Sequence, residues 1–176
     1  TSFGKLTVTN RDSKYEITVK SNSADEKYDG TEKTAEGFET LEFEIEGNTY
    51  KVEGLSAEAK ATDAGTYTNT ISGTAVVKDA KGNDVTAEFT VNQEAGELKI
   101  SKRTVTLTSA TAEKEYDGKP LTKNAQTDVT VGGDGFAKGE GAAYDITGSQ
   151  TLVGSSENTF TYKLNEGTKA DNYTII

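Results

Sequence analysis

Oxygen ligands are concentrated in one short loop of the chain, DAKGND. It contains Asp79, Asn83 and Asp84, and carboxylate and amide oxygens are the ligands that Ca²⁺ prefers. Their spacing does not match a known calcium loop such as the EF-hand, and Lys81 lies among them. An ordinary hairpin turn explains the same residues. We therefore expect no cofactor, and we keep calcium at these three residues as the alternative.

A second loop, GGDGFAKGEG, carries Asp134 and Glu140 and allows the same two interpretations. Other chemistry has few residues to use, because the chain contains no His and no Cys. Catalytic triads, imidazole metal sites and thiol chemistry are thereby excluded. A pair of carboxylates can hydrolyse a glycoside, but nothing selects a pair among 29 acidic residues. We predict that the chain is not an enzyme.

The tripeptide Tyr-Asp-Gly occurs in both halves of the chain. Its copies are Tyr28, Asp29 and Gly30, and Tyr116, Asp117 and Gly118. Asp-Gly favours a turn, because Gly accepts a positive φ and the Asp side chain can accept hydrogen bonds from the amides just ahead. Each Tyr is expected to pack its ring against the core and to place its hydroxyl near a polar partner. We predict a structural motif, and the alternative is a Tyr-Asp pair that contacts a ligand.

The segment DAGTY places Asp63, Gly65 and Tyr67 just before an alternating stretch. This spacing resembles the tyrosine corner of immunoglobulin-like domains, in which the Tyr hydroxyl bonds nearby backbone. The second half of the chain has SENTF at the matching place, without the Asp, the Gly or the phenol.

The two copies of YDG belong to a longer internal repeat. GKLTVTNRDSKYEITVKSNSADEKYDG matches GELKISKRTVTLTSATAEKEYDG, TYKVEG matches AYDITG, TYTNTI matches TFTYKL, and AEFTV matches DNYTI. The repeat length of roughly 90 residues is typical of a small immunoglobulin-like module. We therefore predict an all-β chain of two tandem immunoglobulin-like β-sandwich modules, at residues 10–100 and 101–176. β-Grasp-like modules are the alternative.

Residues 1–9 fall outside this division. They contain GKLTV, which matches GELKI near the end of the first module. We interpret them as the closing strand of an upstream module or as a linker, while the second module has no equivalent of GELKI. The same segment can therefore supply a strand to a neighbouring molecule, which predicts strand-swapped association.

Local patterns favour strands throughout and predict no helix. LEFEIE alternates apolar and acidic residues, and TYKVEG follows after a short turn, so the pair reads as a hairpin. TAVVKDAKGNDVTAEFTV is a second candidate hairpin around the DAKGND loop. The acidic residues of LEFEIE are expected on the solvent side, where like charges discourage pairing between strand edges.

The net charge of −10 argues against nucleic acid and anionic membrane as partners, since both require clustered Lys and Arg. No apolar run approaches the length of a membrane span, so we expect no membrane insertion.

YDG followed by Thr, the AYDITG strand, NTFT and the KADNYTI close resemble the YDG and MBG-type β-repeat modules of bacterial cell-surface, adhesin-like proteins. The resemblance implies an extracellular array at the cell wall, and the lack of Cys is common in exported proteins of Gram-positive bacteria. It predicts a stalk or spacer that presents a distal adhesive or catalytic domain, with adjacent modules of the same chain as partners. The alternative is an adhesin or carbohydrate-binding module that recognises a host glycan or matrix protein.

Overall fold

The computed structural model describes all 176 residues, and it confirms the prediction of an all-β chain. Fourteen strands are joined by turns and by three single-turn 3₁₀ helices. None of these helical turns is long and apolar enough to cross a membrane. Residues 54–61 of GLSAEAKATDAG, the segment with the best helical composition, form the second half of a long strand instead, and residues 62–64 form a bend.

The chain forms two compact units. Unit 1 comprises residues 1–25, 33–61 and 66–99, and unit 2 comprises residues 26–32, 62–65 and 100–176. The repeats predict modules at residues 10–100 and 101–176 with residues 1–9 set apart, whereas contacts group residues 1–9 with unit 1. Residues 26–32 and 62–65, which carry the first YDG copy and the DAGTY turn, belong to unit 2.

Unit 1 is built mainly from antiparallel strands around one long central strand. The strands that lie wholly or partly in it are β1 (Tyr15–Lys20), β2 (Ala24–Lys27), β3 (Lys33–Glu36), β4 (Glu42–Ile45), β5 (Asn48–Ala61), β6 (Gly65–Asn69), β7 (Ile71–Asp79), β8 (Phe89–Glu94) and β9 (Gly96–Ser101). Strand β5 pairs with β3, β4 and β7, and β9 lies between β2 and β6. Strand β1 pairs in parallel with β8. The predicted hairpin of LEFEIE with TYKVEG is confirmed as β4 and β5.

The core of unit 1 follows from the alternation along these strands. Ile17 and Val19 of β1 point inward together with Val52, Val77 and Phe89. The intervening residues of β1 face solvent, which is the expected period of two.

Unit 2 contains five further strands. They are β10 (Arg103–Ser109), β11 (Val129–Gly133), β12 (Ala142–Ile146), β13 (Phe160–Leu164) and β14 (Tyr173–Ile175). Strand β10 lies between β11 and β14 and pairs in parallel with β14. Strands β12 and β13 form an antiparallel pair. The buried residues of this unit include Val105, Val129, Ile146 and Tyr173.

The second predicted hairpin is wrong in its pairing. The DAKGND loop does turn the chain, with an isolated bridge between Lys78 and Asp84. The 3₁₀ turn Thr86–Glu88 then redirects the chain, so that β8 pairs with β1 and not with β7. A local pattern reveals where a strand lies, whereas its partner is set by the core that the whole unit buries.

Residues 1–10 form no regular secondary structure. The side chains of Leu6 and Val8 are 100% and 98% exposed, and Phe3 is exposed as well. The GKLTV segment is therefore an unpaired extension in this chain.

Candidate functional site

Both YDG copies form the turn that their sequence predicts. Asp29 Oδ1 accepts a hydrogen bond from the Thr31 amide at 2.8 Å, and Asp117 Oδ1 accepts one from the Lys119 amide at 2.9 Å. The Gly of each copy has a positive φ, 83° at Gly30 and 76° at Gly118, which a β-carbon would strain. The lysine of the second copy, Lys114, also donates to Asp117 at 2.7 Å.

The two Tyr residues of the motif lie in opposite environments. Tyr28 is 4% exposed, whereas Tyr116 is 65% exposed. The expectation that both rings pack into a core is therefore wrong for Tyr116. The turn itself is local and forms in both copies, but the burial of the ring depends on what is packed above it.

Tyr28 belongs to a buried cluster of unit 2. Its hydroxyl donates to Oε1 of Glu140, and the Tyr173 hydroxyl donates to Oε2 of the same carboxylate at 2.7 Å. The two rings meet edge to face with centroids 5.6 Å apart, a favourable arrangement for aromatic pairs. The Ala137 amide donates to the Tyr173 hydroxyl at 2.9 Å, and Phe136 packs against the Tyr173 ring.

Both tyrosine hydroxyls of this cluster have raised pKa values. Burial, and then the hydrogen bond to the Glu140 carboxylate, raise the pKa of Tyr28 to about 12. Burial is also the largest cause that raises the pKa of Tyr173 to about 12. Both phenols therefore stay protonated in the physiological range and act as hydrogen-bond donors, not as bases or nucleophiles.

Beside the cluster, Asp134 fixes the start of β10. Its carboxylate accepts from Lys27 Nζ at 2.7 Å and from the Thr104 amide at 2.9 Å. These two hydrogen bonds lower the pKa of Asp134, and the bond from Lys27 has the largest effect. The Arg103 guanidinium donates to the carbonyls of Asp134, Gly135 and Tyr28. The acidic residues of the GGDGFAKGEG loop thus serve the packing of unit 2.

Asp63 of the DAGTY turn also bonds within unit 2. Its carboxylate accepts hydrogen bonds from Asn172 Nδ2 at 2.9 Å and from Lys169 Nζ at 2.7 Å. These bonds lower the pKa of Asp63, and the bond from Asn172 has the largest effect. Asn172 is fully buried, and its Oδ1 accepts from the Ala64 amide at 2.7 Å. Gly65 and Tyr67 lie on β6, where Tyr67 is half-buried.

The calcium candidates form a closed turn. Asp79 accepts hydrogen bonds of 2.9 Å from the Lys81 and Asn83 amides and from the Asn83 side chain. These bonds lower the pKa of Asp79, and the bonds from Asn83 have the largest effect. Asp84 accepts from the amide and hydroxyl of Thr86. The structure brings the three residues together, but no group of three or more His, Cys, Asp or Glu side chains is placed to hold a metal ion.

An open cleft of about 960 Å³ lies in unit 2. Three segments line it, residues 109–116, 121–123 and 148–160. Exposed apolar side chains gather there, namely Tyr116, Leu152 and Val153. The exposed ring of the second YDG copy is therefore part of the cleft wall.

Two asparagines show which residues of the units correspond. Asn69, at the end of β6, donates to the Asn22 carbonyl at 2.9 Å, and Asn158 donates to the Ala110 carbonyl at 3.1 Å. In both, the side-chain oxygen is buried without a hydrogen-bond partner. Asn158, not Tyr162, is thus the counterpart of Asn69, and the sequence match of TYTNTI with TFTYKL is out of register.

Sequence reasoning missed Glu140 as the acceptor for two tyrosines, and it missed the cleft. A signal for Glu140 was present, because the match of TYKVEG with AYDITG extends back to Glu46. Glu46 also accepts a hydrogen bond from a tyrosine, Tyr15, at 2.7 Å. The cleft itself has no signal in the sequence. Comparisons with protein-family models, with curated proteins and with solved structures each found no match for this chain.

Proposed function

We propose that the chain is a non-catalytic spacer of a bacterial cell-surface protein, made of two tandem immunoglobulin-like β-sandwich modules. Such a spacer holds a distal domain away from the cell wall and must transmit tension along its own backbone. The observation that carries the proposal is the parallel pairing of an early strand with a late strand in each unit.

In unit 1, β1 pairs with β8 over six residues, from Tyr15 with Phe89 to Lys20 with Glu94. In unit 2, β10 pairs with β14, from Arg103 with Tyr173 to Val105 with Ile175. Tension applied just before the early strand and just after the late strand drags the two parallel strands past each other along their length. The evenly spaced hydrogen bonds of a parallel pair are then loaded together and do not open one after another.

The motif residues support the same proposal, because their polar groups are used to build the fold. Tyr28 and Tyr173 share the Glu140 carboxylate, and Asp63 is bound by Asn172 and Lys169. A tyrosine and an aspartate with internal partners are typical of scaffolding, whereas binding residues present free polar groups to a ligand.

The test is a single-molecule pulling experiment. Because the chain has no Cys, handles can be attached at introduced cysteines. Handles at Ser13 and Ala95 load β1 and β8 in shear, and handles at Thr40 and Glu53 pull open the β4–β5 hairpin from its free end. We expect a clearly higher rupture force for the first pair, since its bonds must break together. Equal forces would contradict the spacer proposal.

Binding to an immobilised panel of host glycans and matrix proteins, with calcium and with chelator, tests the adhesin alternative. The spacer proposal predicts no specific binding under either condition. Saturable binding to one ligand would replace it by the adhesin function, and loss of that binding in chelator would assign a metal to the ligand site.

A further inference from the structure

Strand β9 shows how a unit of this type closes. It lies between β2 and β6, and its Leu98 is 0% exposed. Ser21 holds its first residue, because the Ser21 hydroxyl accepts from the Gly96 amide at 2.8 Å and donates to the Asn69 carbonyl at 2.6 Å. Strand β9 is thus paired on both sides, and Ser21 links its first residue to the end of β6.

The cleft of unit 2 is the corresponding place. The YDG match aligns Ser21 with Ser109 and residues 24–27 with residues 112–115, and Asn158 replaces Asn69. Ser109, residues 112–115 and Asn158 all line the cleft. The cleft therefore runs between the counterparts of β2 and of the end of β6, where unit 1 holds β9.

Residues 4–11 have the sequence of such a closing strand. GKLTVTNR matches GELKISKR of residues 96–103, with Gly, Leu and Arg identical and with Val for Ile and Thr for Ser. In this register Leu6 takes the place of Leu98, and Val8 that of Ile100, which are both buried. Leu6 and Val8 are instead fully exposed, and the cleft exposes Leu152 and Val153. Each surface offers the apolar area that the other would cover.

The polar groups of the two segments also match. Thr9 takes the place of Ser101, whose hydroxyl donates to the Glu26 carbonyl at 3.1 Å. On the cleft side, Thr111 takes the place of Ser23, whose hydroxyl accepts from the Glu97 amide at 3.0 Å. Lys5 would face a segment that carries Glu113 and Glu115, so the charges are complementary.

We propose that residues 4–8 of a second copy of this chain insert into the cleft of unit 2 as its closing strand, beside residues 112–115. The contact joins two different surfaces, a donor strand and an acceptor cleft. Each copy carries one donor strand and one acceptor cleft, so repetition of the contact links copies head to tail, in open chains or closed rings. The inference depends on the cleft and on the exposed segment, and it does not depend on the spacer function.

The first test is sedimentation velocity of the whole chain over a wide range of concentration, which should show species larger than the monomer that increase with concentration. Leu6→Asp with Val8→Asp should abolish association, because burial of each side chain contributes roughly tenfold or more to affinity. Neither residue is packed in the monomer, so circular dichroism should show an unchanged fold. Monomers at every concentration, or association that survives this double substitution, would overturn the proposal.

Two matched variants sharpen the result. Thr7→Lys places a lysine where β9 has Lys99, whose Nζ lies 3.9 Å from Asp25, and Glu113 takes the place of Asp25. This variant should associate at least as well as the native chain. Gly4→Ala should weaken association, since a β-carbon at Gly96 would lie 2.4 Å from the Ser21 and Asn22 carbonyl oxygens. Gly4 has open space in the monomer. The opposite ranking of these variants would refute the proposed register.

A mixing experiment tests the direction of the contact. Copies with Leu6→Asp and Val8→Asp keep the cleft, and copies with Leu152→Glu and Val153→Glu keep the donor strand. Each preparation alone should be monomeric, and an equimolar mixture should form one-to-one dimers and nothing larger. A mixture that stays monomeric would contradict exchange between donor and cleft.

Discussion

The Tyr173 hydroxyl donates a hydrogen bond of 2.7 Å to Oε2 of Glu140. The other oxygen of that carboxylate accepts from Tyr28. One acidic side chain thereby satisfies two phenols that are both buried, one from the YDG motif and one from the last strand of unit 2. Their shared acceptor is the point on which the packing of this motif depends.

We predict that Glu140→Ala lowers the free energy of unfolding by about 2–4 kcal/mol, because it leaves two buried hydroxyls without an acceptor. Glu140→Gln keeps the size of the side chain and one carbonyl acceptor, so its loss should be smaller. Urea denaturation of the three proteins measures the difference. A Glu140→Ala protein as stable as the native one would show that the cluster contributes nothing.

Stability should fall at alkaline pH. The pKa of Tyr28 and that of Tyr173 are raised from 10.0 to about 12 in the folded protein. Their contribution is therefore complete below pH 10 and is lost as the pH rises towards 12, because the unfolded chain releases these protons first. The loss is on the order of 2 kcal/mol for each phenol. Denaturation curves across this range should show it, and Tyr28→Phe should remove about half of the decline.

The two YDG copies provide a matched pair of substitutions. Tyr28→Ala removes a buried ring and should cost about 3–5 kcal/mol of stability. Tyr116→Ala removes an exposed ring and should change the stability of the monomer by less than about 1 kcal/mol. Thermal or urea denaturation at low protein concentration compares them. Equal losses would contradict the difference in burial between the two copies.

Asn172 and Lys169 bind the same carboxylate but differ in burial. Asn172→Ala leaves the partly buried Ala64 amide without its acceptor, so we expect a loss of about 1–2 kcal/mol. Lys169→Ala breaks an ion pair to Asp63 whose lysine side chain is 64% exposed, and should cost less than about 1 kcal/mol. High salt should weaken only the ion pair, so added salt should narrow the gap between native protein and Lys169→Ala.

Gly96 and Gly4 lie in matching segments, GELKI and GKLTV, but have opposite surroundings. A β-carbon at Gly96 would lie 2.4 Å from two backbone carbonyl oxygens, which cannot move aside cheaply. Gly96→Ala should therefore cost about 1–3 kcal/mol, as overpacking does. No atom lies within 4 Å of a β-carbon at Gly4, so Gly4→Ala should leave the monomer unchanged. Comparison of their denaturation midpoints at low concentration checks this.

Local features of the fold could be predicted from the sequence because their causes are local. The alternation in LEFEIE and TYKVEG predicts β4, β5 and the turn between them, since the period of two places one set of side chains in the core. The YDG turn needs only an Asp side chain and a Gly with positive φ, and both copies form it.

Features that depend on distant residues could not be predicted. Nothing near Phe89 indicates that β8 pairs with β1, because that choice buries Phe89 beside Ile17 and Val19. Tyr28 and Tyr116 have nearly the same neighbours in sequence, yet only Tyr28 has Tyr173 and Glu140 packed against it. The partner of a strand or a ring is a property of the finished core.

The parallel pairing of early with late strands also sets the order in which the protein can fold. Strand β1 cannot pair with β8 until Phe89 and the residues after it have left the ribosome. The Tyr28 ring cannot pack against Tyr173 until that residue has been synthesised as well. Closing such long loops costs chain entropy before any contact repays it, which makes folding slow. Neither unit can therefore complete its parallel pair before its late strand has been synthesised.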